Sequence, residues 1–395
     1  MFATKLLAPQ KVNRNMKKVL VFAATIQLSL TKQTGIMKKV FAQASAFESF
    51  FDVYMWGFAR NEIVYYHKGE IVSVTHFSSK VDRRIKYFKF LTDFTIKNKA
   101  FSFYFRYAST DFFLLNTLRK LKKNGIINLI EIPTYPYKGE YKETFKNRLI
   151  YLLDSLLRFR LKKYVSRVII FSENPKIVYG IPTINTMNGV DASSIKPIAI
   201  CTPHNCINLI AVASMLPHHG FDRLIEGLRV YYSNRYNDEI VSFHVVGDGP
   251  KLKEYKDLCK KYNIEQYVIF HGQKSGNDLD VVFEQSDIAV GSLGLHRIGI
   301  NEGSTLKNRE YAVRGLPIIY STFDSFLKDS RFCVIFPPDD NPIDISRIVV
   351  FWKSIKETPN LHKIIRDEAI KKCDMKITMS PVMNYYKSLL ENTFE

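Results

Sequence analysis

The chain has 395 residues, 46% of them hydrophobic, and a formal net charge of +19. This length allows two or three domains with substantial cores. No apolar run approaches the roughly 18–20 residues of a transmembrane helix, and the run over 22–30 is too short. The five cysteines are scattered without a C-x-x-C pair, which argues against a disulfide scaffold and favours reduced thiols in a cytoplasmic protein.

The positive charge is concentrated in the N-terminal half. Residues 1–200 hold 33 Lys and Arg against 13 Asp and Glu, whereas residues 201–395 hold 24 against 25. Such an imbalance indicates a polyanionic partner: nucleic acid, an anionic membrane surface or a phosphorylated acceptor. Because no RRM, zinc-finger or helix-turn-helix pattern occurs, nucleic acid is not the expected partner.

In the first half, strand-like apolar runs alternate with amphipathic helical runs, which is typical of parallel α/β domains. Residues 1–15 are interpreted as a disordered leader, with Met16 as an alternative start, because the ordered pattern begins at Lys17. Strands are predicted over 18–24, 52–58, 62–67, 101–109, 128–137 and 166–173, and helices over about 37–50, 80–96, 112–123 and 142–164.

The second half repeats the alternation after a segment rich in Asn, Ser, Thr and Pro, residues 181–197, which is interpreted as a linker. Strands are predicted over 207–214, 242–249, 267–272, 287–293, 317–321 and 333–338, and helices over 221–232, 250–262, 278–285, the stretch ending at Gly315, and the tail from about Pro342.

The predicted fold class is therefore α/β, with two doubly wound domains and a cleft between them, since such sheets bind ligands at the carboxyl ends of their strands. The N-terminal domain is expected over 16–198 and the C-terminal domain over 199–365. Residues 366–395 are expected to be a helical tail that packs back on the N-terminal domain. Cys201 and Cys206 flank His204 near the linker, which leaves a metal clip open as an alternative to reduced thiols.

Two glutamates eight positions apart, Glu302 and Glu310, are the most informative residues of the chain. One stands just before a predicted helix and the other in its second or third turn, so both can face one cleft and accept hydrogen bonds from sugar hydroxyls. The backbone N–H groups of Thr305, Leu306 and Lys307 lie between them, at a helix start that attracts phosphate. The pattern predicts a nucleotide-sugar site; its alternative is an ordinary surface helix that carries two acids.

This spacing occurs together with Gly303, Leu306, Gly315 and Pro317. The stretch resembles the E-x7-E signature of retaining glycosyltransferases of family 4, and the wider pattern resembles enzymes of bacterial surface-polysaccharide synthesis. The resemblance implies the GT-B fold: two Rossmann-like domains that face a central cleft, with C-terminal helices. It also implies retention of anomeric configuration, a nucleoside-diphosphate sugar as co-substrate, and no metal or other cofactor.

By the same resemblance, Glu310 is expected at the ribose of the donor and Glu302 at the donor sugar, next to Gly303 and Ser304. Two further elements of the family's donor domain are matched, Asn188-Gly189-Val190-Asp191 and the turn that contains Gly247 and Gly249. A glycine turn that enters a helix allows backbone to approach a ligand closely, although such turns are common in loops.

One departure from the family concerns the cations that hold the diphosphate. Ser214 stands where many members have an arginine, and His219 where they have a lysine. His219 is either a contact to the donor or a helix-start histidine without function. The nearest replacements are Lys307, Arg309, His296 and Arg297, and Lys307 is the first choice because it lies beside the helix-start amides.

The acceptor side is expected in the N-terminal domain. Glu131, Thr134 and Tyr135 follow a predicted strand and are expected to line the cleft. Arg106, Tyr107 and Asp111 end the preceding strand and are expected to join them at the acceptor. Gly35, also expected at the acceptor, remains from the family's glycine-containing loop after the first strand. The alternative is that Pro133 and Pro136 only shape a crossing loop.

The predicted helix over 142–164 is amphipathic. Its leucines at 149, 152, 153, 156 and 157 form an apolar stripe among basic residues. Either the stripe packs on the core beneath a solvated basic face, or the helix attaches the protein to an anionic membrane leaflet.

The sequence as a whole favours a cytoplasmic glycosyltransferase, peripheral at the inner face of the cell membrane, that acts on a glycan or lipid-linked acceptor. Two alternatives remain: a nucleic-acid-binding protein, which the charge alone favours, and a non-catalytic GT-B homologue that binds a glycan or a partner. The missing Arg and Lys keep the second alternative open, and the retained glutamates argue against it.

Overall fold

The computed structural model describes residues 17–30, 34–137, 144–198, 206–234 and 239–391. The expected leader over 1–15 lies outside the described residues. None of the helices in these ranges is long and apolar enough to cross a membrane.

The described residues of the N-terminal half form one sheet of nine strands. These are β1 (Lys18–Gln27), β2 (Phe51–Ala59), β3 (Glu62–His67), β4 (Glu70–His76), β5 (Ser102–Arg106), β6 (Ile127–Ile132), β7 (Arg167–Ile170), β8 (Ile177–Val178) and β9 (Ile181–Asn185). Their order is β4-β3-β2-β1-β5-β6-β7-β9-β8. The strands from β2 to β9 in this order pair in parallel, while β3, β4 and β8 are added as antiparallel hairpins.

The connections between these strands supply the helices of the domain. They are α1 (Gly35–Glu48), α2 (Lys80–Lys97), α3 (Phe112–Lys123) and α4 (Phe145–Leu157). Each begins at a side-chain cap, from Thr34, Ser79, Asp111 and Thr144 respectively, that accepts a hydrogen bond from an N–H of the first turn. These caps fix the first residue of each helix. Helices α1, α3 and α4 begin after strands at the carboxyl edge of the sheet, and α2 begins after the hairpin of β3 and β4.

The C-terminal half folds on a second, wholly parallel sheet. Its strands are β10 (Cys206–Val212), β11 (Ile240–Val246), β12 (Val268–Gly272), β13 (Ile288–Val290), β14 (Ile318–Tyr320) and β15 (Cys333–Ile335). Its helices are α5 (Phe221–Ser233), α6 (Leu252–Tyr262), α7 (Asn277–Glu284), α8 (Leu306–Arg314), α9 (Ile345–Ile355) and α10 (Leu361–Cys373). The strand order β12-β11-β10-β13-β14-β15 is doubly wound, with the switch between β10 and β13.

The last two helices, α11 (Met375–Thr378) and α12 (Ser380–Glu391), cross to the N-terminal domain. Met379, Val382 and Tyr386 are buried in that domain's core. The Tyr386 hydroxyl lies 2.8 Å from Ser102 Oγ on β5, and its ring is 5.1 Å from that of Phe51. The two sheets with their helices and the cleft between them confirm the predicted fold class.

Several elements differ from the sequence predictions. The segment interpreted as a linker contributes β9, which pairs with β7 in parallel from Val168 opposite Thr183 to Ile170 opposite Asn185. Strand β4 was not predicted, because it is an exposed edge strand without apolar alternation and is held by its ladder with β3. The helix predicted over 142–164 is the shorter α4, continued by a 3₁₀ turn over Arg158–Lys163.

Candidate active site

Glu302 stands one turn before α8, at the boundary between the domains. Its backbone forms an isolated bridge with Phe323, and its Oε1 accepts a hydrogen bond from the backbone N of Glu173, 3.2 Å away in the N-terminal domain. The side chain lines an interdomain cavity of about 590 Å³. Glu302 therefore reaches across the cleft to the N-terminal domain.

Glu310 lies on the second turn of α8 and lines a different interdomain cavity, of about 350 Å³, together with Gly35, Lys39 and Leu306. Its Oε1 accepts from Arg314 Nε at 3.3 Å and Nη2 at 3.2 Å. Arg314 in turn is held by an ion pair with Asp280 at 2.7 Å. The expectation that both carboxylates face one cleft holds for the cleft as a whole, but they line separate cavities within it.

The loop before α8 is tied to the segment that joins the domains. The backbone N of Asn188 donates to Ser304 Oγ at 2.9 Å, and its side-chain amide donates to the Ser304 carbonyl. Arg309 is fully buried, donates to the Asn188 carbonyl at 3.1 Å and forms a bidentate ion pair with Asp324. Arg309 therefore holds the scaffold together, and its guanidinium is already engaged.

Lys307 and His219 meet at the start of α8. Lys307 Nζ lies 3.1 Å from His219 Nδ1 and 5.6 Å from the centroid of the Phe221 ring. His219 is buried, stacks on Phe221 at 5.6 Å, and its backbone carbonyl accepts from Leu293 N, which follows β13. Thus His219, which stands where many family members have a lysine, contacts the lysine Lys307 of α8.

The pair is electrically asymmetric. Burial, with the charges of Lys307 and His218, lowers the pKa of His219 to about 2, so its ring stays neutral. Burial also lowers the pKa of Lys307 to about 7. An ammonium at Lys307 donates to Nδ1, which places the imidazole proton on Nε2. A buried ammonium beside a helix N-terminus can stabilise an anionic leaving group.

The start of α8 adds further hydrogen-bond donors. Thr305 is the N-cap residue of α8, but its side chain makes no capping hydrogen bond to the first turn. The first N–H groups of a helix have no partner within it, so an uncapped start favours an anion. Thr305 and Leu306 directly precede Lys307 at this helix start. That they form a phosphate site with it stays a prediction.

His296 and Arg297 occupy the 3₁₀ turn over Leu295–Ile298. Arg297 forms a bidentate pair with Asp222 at 2.9 and 2.6 Å and contacts Asp340 at 2.7 Å. His296 Nε2 also lies 3.2 Å from Asp340 Oδ1. These contacts fasten the turn to α5, so the guanidinium of Arg297 is less available to a diphosphate than the Lys307 ammonium is.

The glycine turn after β11 lies against the end of β10. Gly247 has a φ of +126°, and a Cβ there would come within 1.9 Å of the Ala213 carbonyl oxygen. The other glycine, Gly249, approaches Met215 and Ser214. Only glycine at position 247 allows this approach. The turn borders the same strand ends as His219, at the switch point where doubly wound sheets bind ligands.

In the N-terminal domain, Glu131 is the centre of a buried polar cluster. Its carboxylate accepts from Gln43 Nε2 at 2.7 Å, Tyr104 OH at 2.6 Å and Arg106 Nη1, and pairs with Lys39 at 3.4 Å. Burial opposes ionisation, yet Lys39 and Arg106 hold the pKa of Glu131 below its ordinary value. Burial lowers the pKa of Lys39 to about 7.

The remaining acceptor-side residues take different positions. Glu131 is fully buried, so its carboxylate lies in the interior of the domain and does not line the cleft surface. Asp111 caps α3 and pairs with Arg84. Thr134 and Tyr135 are half-buried in the loop after β6. Gly35 lines the Glu310 cavity at the first turn of α1.

Sequence reasoning missed Arg223 on α5. It is buried and donates to the carbonyls of Leu293, Pro337 and Asn341, and it pairs with Asp339 at 2.7 Å. It thereby joins the loop after β13 to the loop after β15, around the strand ends that border the site. An arginine on the apolar side of a predicted helix was the available signal.

The described residues contain no group of three His, Cys, Asp or Glu side chains arranged for a metal ion. Cys201 and His204 of the conceivable clip lie outside the described residues. Cys206, Cys259, Cys333 and Cys373 are free thiols.

Part of the chain matches a known sequence family, and its fold matches solved structures. Residues 203–330 match the family model described as glycosyl transferases group 1. Sucrose-phosphate synthase from Thermosynechococcus elongatus superposes with a TM-score of 0.69 at 13% identity, over 95% of this chain and 100% of that one. The fold is GT-B.

Other GT-B structures agree. The lipopolysaccharide outer core galactosyltransferase WaaB gives a TM-score of 0.58 at 15% identity, over 94% of this chain and 99% of that one. Anabaena HepE in complex with UDP-glucose gives 0.61 at 13% identity, over 94% and 100%. No curated protein matches the sequence. Together the family model and these GT-B neighbours support a glycosyltransferase of the GT-B type.

Proposed function

We propose that this protein transfers a sugar from a nucleoside-diphosphate sugar to a glycan or lipid-linked acceptor, with retention of anomeric configuration, in surface-polysaccharide or lipopolysaccharide synthesis. The observation that carries the proposal is the contact between Lys307 and His219 at an uncapped helix start, with Glu302 before it and Glu310 after it. The proposal is supported by the chain order of this segment, in which a cation and helix-start N–H groups suited to phosphate stand between two carboxylates suited to hydroxyl groups.

Each group then has a role. Glu310, oriented by Arg314, accepts from the ribose hydroxyls, and Glu302 accepts from hydroxyls of the donor sugar. The Lys307 ammonium and the N–H groups of the α8 start stabilise the departing diphosphate. Neutral His219 holds the ammonium in place. Gly247 and Gly249 allow the donor to approach the backbone.

The reaction breaks the bond between the anomeric carbon and the phosphate oxygen. The acceptor oxygen forms its bond to the same carbon on the same face, and its proton goes to the departing phosphate oxygen. This front-face course needs no protein base. Closure of the cleft excludes water and so suppresses hydrolysis of the donor.

The acceptor is proposed to be anchored in the cytoplasmic leaflet of the cell membrane, with the protein in the cytoplasm and peripheral to that leaflet. The basic N-terminal half supports this part of the proposal, because residues 1–200 hold 33 Lys and Arg against 13 Asp and Glu. No metal or other cofactor is assigned a role.

Donor binding tests the proposal. Calorimetric titration with UDP, GDP and ADP is expected to give one nucleotide that binds the wild type, and Lys307→Met is expected to weaken it at least about tenfold, since a charge-assisted contact to phosphate is lost. Lys328→Met is the matched control, because Lys328 is an exposed lysine of the same domain. Equal binding by Lys307→Met would remove Lys307 from the site.

A non-catalytic GT-B homologue is the second candidate. It is favoured by Ser214, which is exposed at the position where the family has an arginine. In that case the protein binds a glycan or a partner, and no nucleotide sugar is turned over. Nucleotide binding to the wild type would count against this candidate, and the absence of any nucleotide binding would favour it.

A further inference from the structure

Helix α4 turns its apolar side away from the protein. Phe145, Leu149, Leu152 and Leu156 follow one another at spacings of four, three and four, which puts them on one face. Their exposed fractions are 76%, 50%, 56% and 68%. The buried residues of the helix are Asp154 and Leu157. Of the predicted leucine stripe, Leu157 packs in the core. The other four leucines are exposed, so the stripe as a whole does not pack on the core as one interpretation of the sequence expected.

A buried polar anchor explains this orientation. The Asp154 carboxylate accepts from Tyr137 OH at 2.6 Å, Thr110 N at 2.7 Å and Tyr107 OH, and Arg158 lies 3.7 Å away. Rotating the helix to bury the leucines would leave these buried donors without their acceptor, which is costly. The network thus holds the apolar face outward.

The same network locates α4 relative to the cleft. Tyr107 directly follows β5, so its bond to Asp154 places the helix at the carboxyl edge of the sheet, where the cleft opens. Phe112 and Phe113 begin α3 at this edge and are 63% and 41% exposed, and Phe159 just after α4 is 57% exposed. These residues add exposed apolar side chains at the same edge of the sheet.

The surroundings of the stripe are basic. Residues 144–172 contain seven Lys and Arg, while their one acid is the buried Asp154. Exposed Lys146 and Arg148 flank the stripe on α4, and Arg160, Lys162 and Lys163 follow it. An exposed apolar stripe among these basic side chains complements an anionic bilayer, which offers apolar depth below negative headgroups.

We propose that this surface, the α4 surface, docks on an anionic lipid bilayer. Its leucines and phenylalanines enter the headgroup region and its lysines and arginines contact the anionic headgroups. Nucleic acid would engage the cations without using the leucines, and a second copy would oppose two sets of like charges. Docking at this edge places the cleft mouth at the bilayer, so that a lipid-linked acceptor enters directly; this last step alone rests on the proposed function.

Vesicle co-sedimentation of the full chain tests the surface. We expect binding to phosphatidylcholine vesicles that contain about a third phosphatidylglycerol and little binding to pure phosphatidylcholine. Replacing Leu149, Leu152 and Leu156 together by Ser is expected to lower the partition coefficient at least about tenfold. The matched control replaces three exposed valines of the C-terminal domain, Val230, Val281 and Val350, by Ser and should bind like the wild type.

Nucleotide affinity, measured on the same samples, separates this proposal from the proposed function. Vesicle binding that the leucine variant loses supports the α4 surface, whether or not any nucleotide binds. Wild-type vesicle binding by the leucine variant overturns it. A concentration-dependent dimer that only the leucine variant abolishes, without vesicle binding by the wild type, also overturns it and assigns the surface to a second copy.

Discussion

At the scale of single residues, the central feature is a cation whose charge depends on its surroundings. Burial lowers the pKa of Lys307 to about 7 in the free protein. A diphosphate binds the ammonium form, so affinity should be highest below pH 7 and fall by up to about tenfold per unit as the pH rises above it. Titrations at several pH values with the nucleotide sugar that binds best will measure this, since its diester phosphates stay ionised throughout.

The same titrations on Lys307→Met provide the control. The variant should bind more weakly at pH 6 and lose the decline between pH 7 and 9. A decline of the same slope in the variant would assign the titration to another group, such as Lys39, whose pKa burial also lowers to about 7.

Arg309 should contribute to stability through its buried pair with Asp324. Removing one partner of such a pair leaves an uncompensated charge, so Arg309→Met is expected to lower the free energy of unfolding by about 3–5 kcal/mol. Denaturant unfolding of the variant will measure the loss. The double variant Arg309→Met with Asp324→Leu should recover part of it, and a double variant worse than the sum of the single ones would contradict this account.

Local sequence order is enough to predict where a residue stands on its element, but not which distant residues become its partners. Lys307 beside the helix start follows from its place in the chain. Its partner His219 lies 88 positions away, and no spacing rule joins them. Glu131 shows the opposite case: the strand end was predicted, but its burial depends on Lys39, Gln43 and Arg106 from two other elements.

At the scale of elements, Gly189 shows why the segment between the domains needs a glycine. A Cβ at this position would lie 2.2 Å from Thr378 Oγ1 on α11 and 3.1 Å from the Cys373 carbonyl oxygen. Gly189→Ala is therefore expected to lower the free energy of unfolding by about 1–3 kcal/mol through overpacking.

Thermal or denaturant unfolding will measure this effect, with Gly35→Ala as the control. Gly35 has open space at its Cβ position and opens α1, so alanine there should be neutral or slightly stabilising. Equal losses from both substitutions would show that the loss at position 189 is not a packing effect.

Most elements could be predicted because apolar periodicity determines buried strands and amphipathic helices. The exceptions have a common cause. Strand β4 is exposed and is defined by its ladder with β3. Strand β9 is a polar segment that pairs with the edge of β7. Both segments are strands because they hydrogen-bond to a neighbouring strand. The sequence of a single segment does not predict such pairing. For α4 the periodicity was visible, but the side that faces inward depends on Asp154 and its distant donors.

At the scale of the whole molecule, the C-terminal helices connect the two domains. Helix α12 fills the N-terminal core with Val382, Met383 and Tyr386, although the chain has already built the C-terminal domain. Tyr386→Ala should lower the free energy of unfolding by about 3–5 kcal/mol, since a large buried aromatic side chain is lost. Denaturant unfolding followed by circular dichroism will test this, and Tyr385→Ala, next to it and less buried, should cost less.

Sugar transfer in the cleft is proposed to depend on Glu310 and Lys307. The most direct measurement is turnover of UDP-, GDP- and ADP-sugars with membrane lipid extract as acceptor, with the anomeric configuration of the product read by NMR. We expect one donor to be consumed with retention, at least about a hundredfold more slowly by Glu310→Ala and by Lys307→Ala, and normally by Lys328→Met. An inverted product, or turnover that neither site variant slows, would contradict the account.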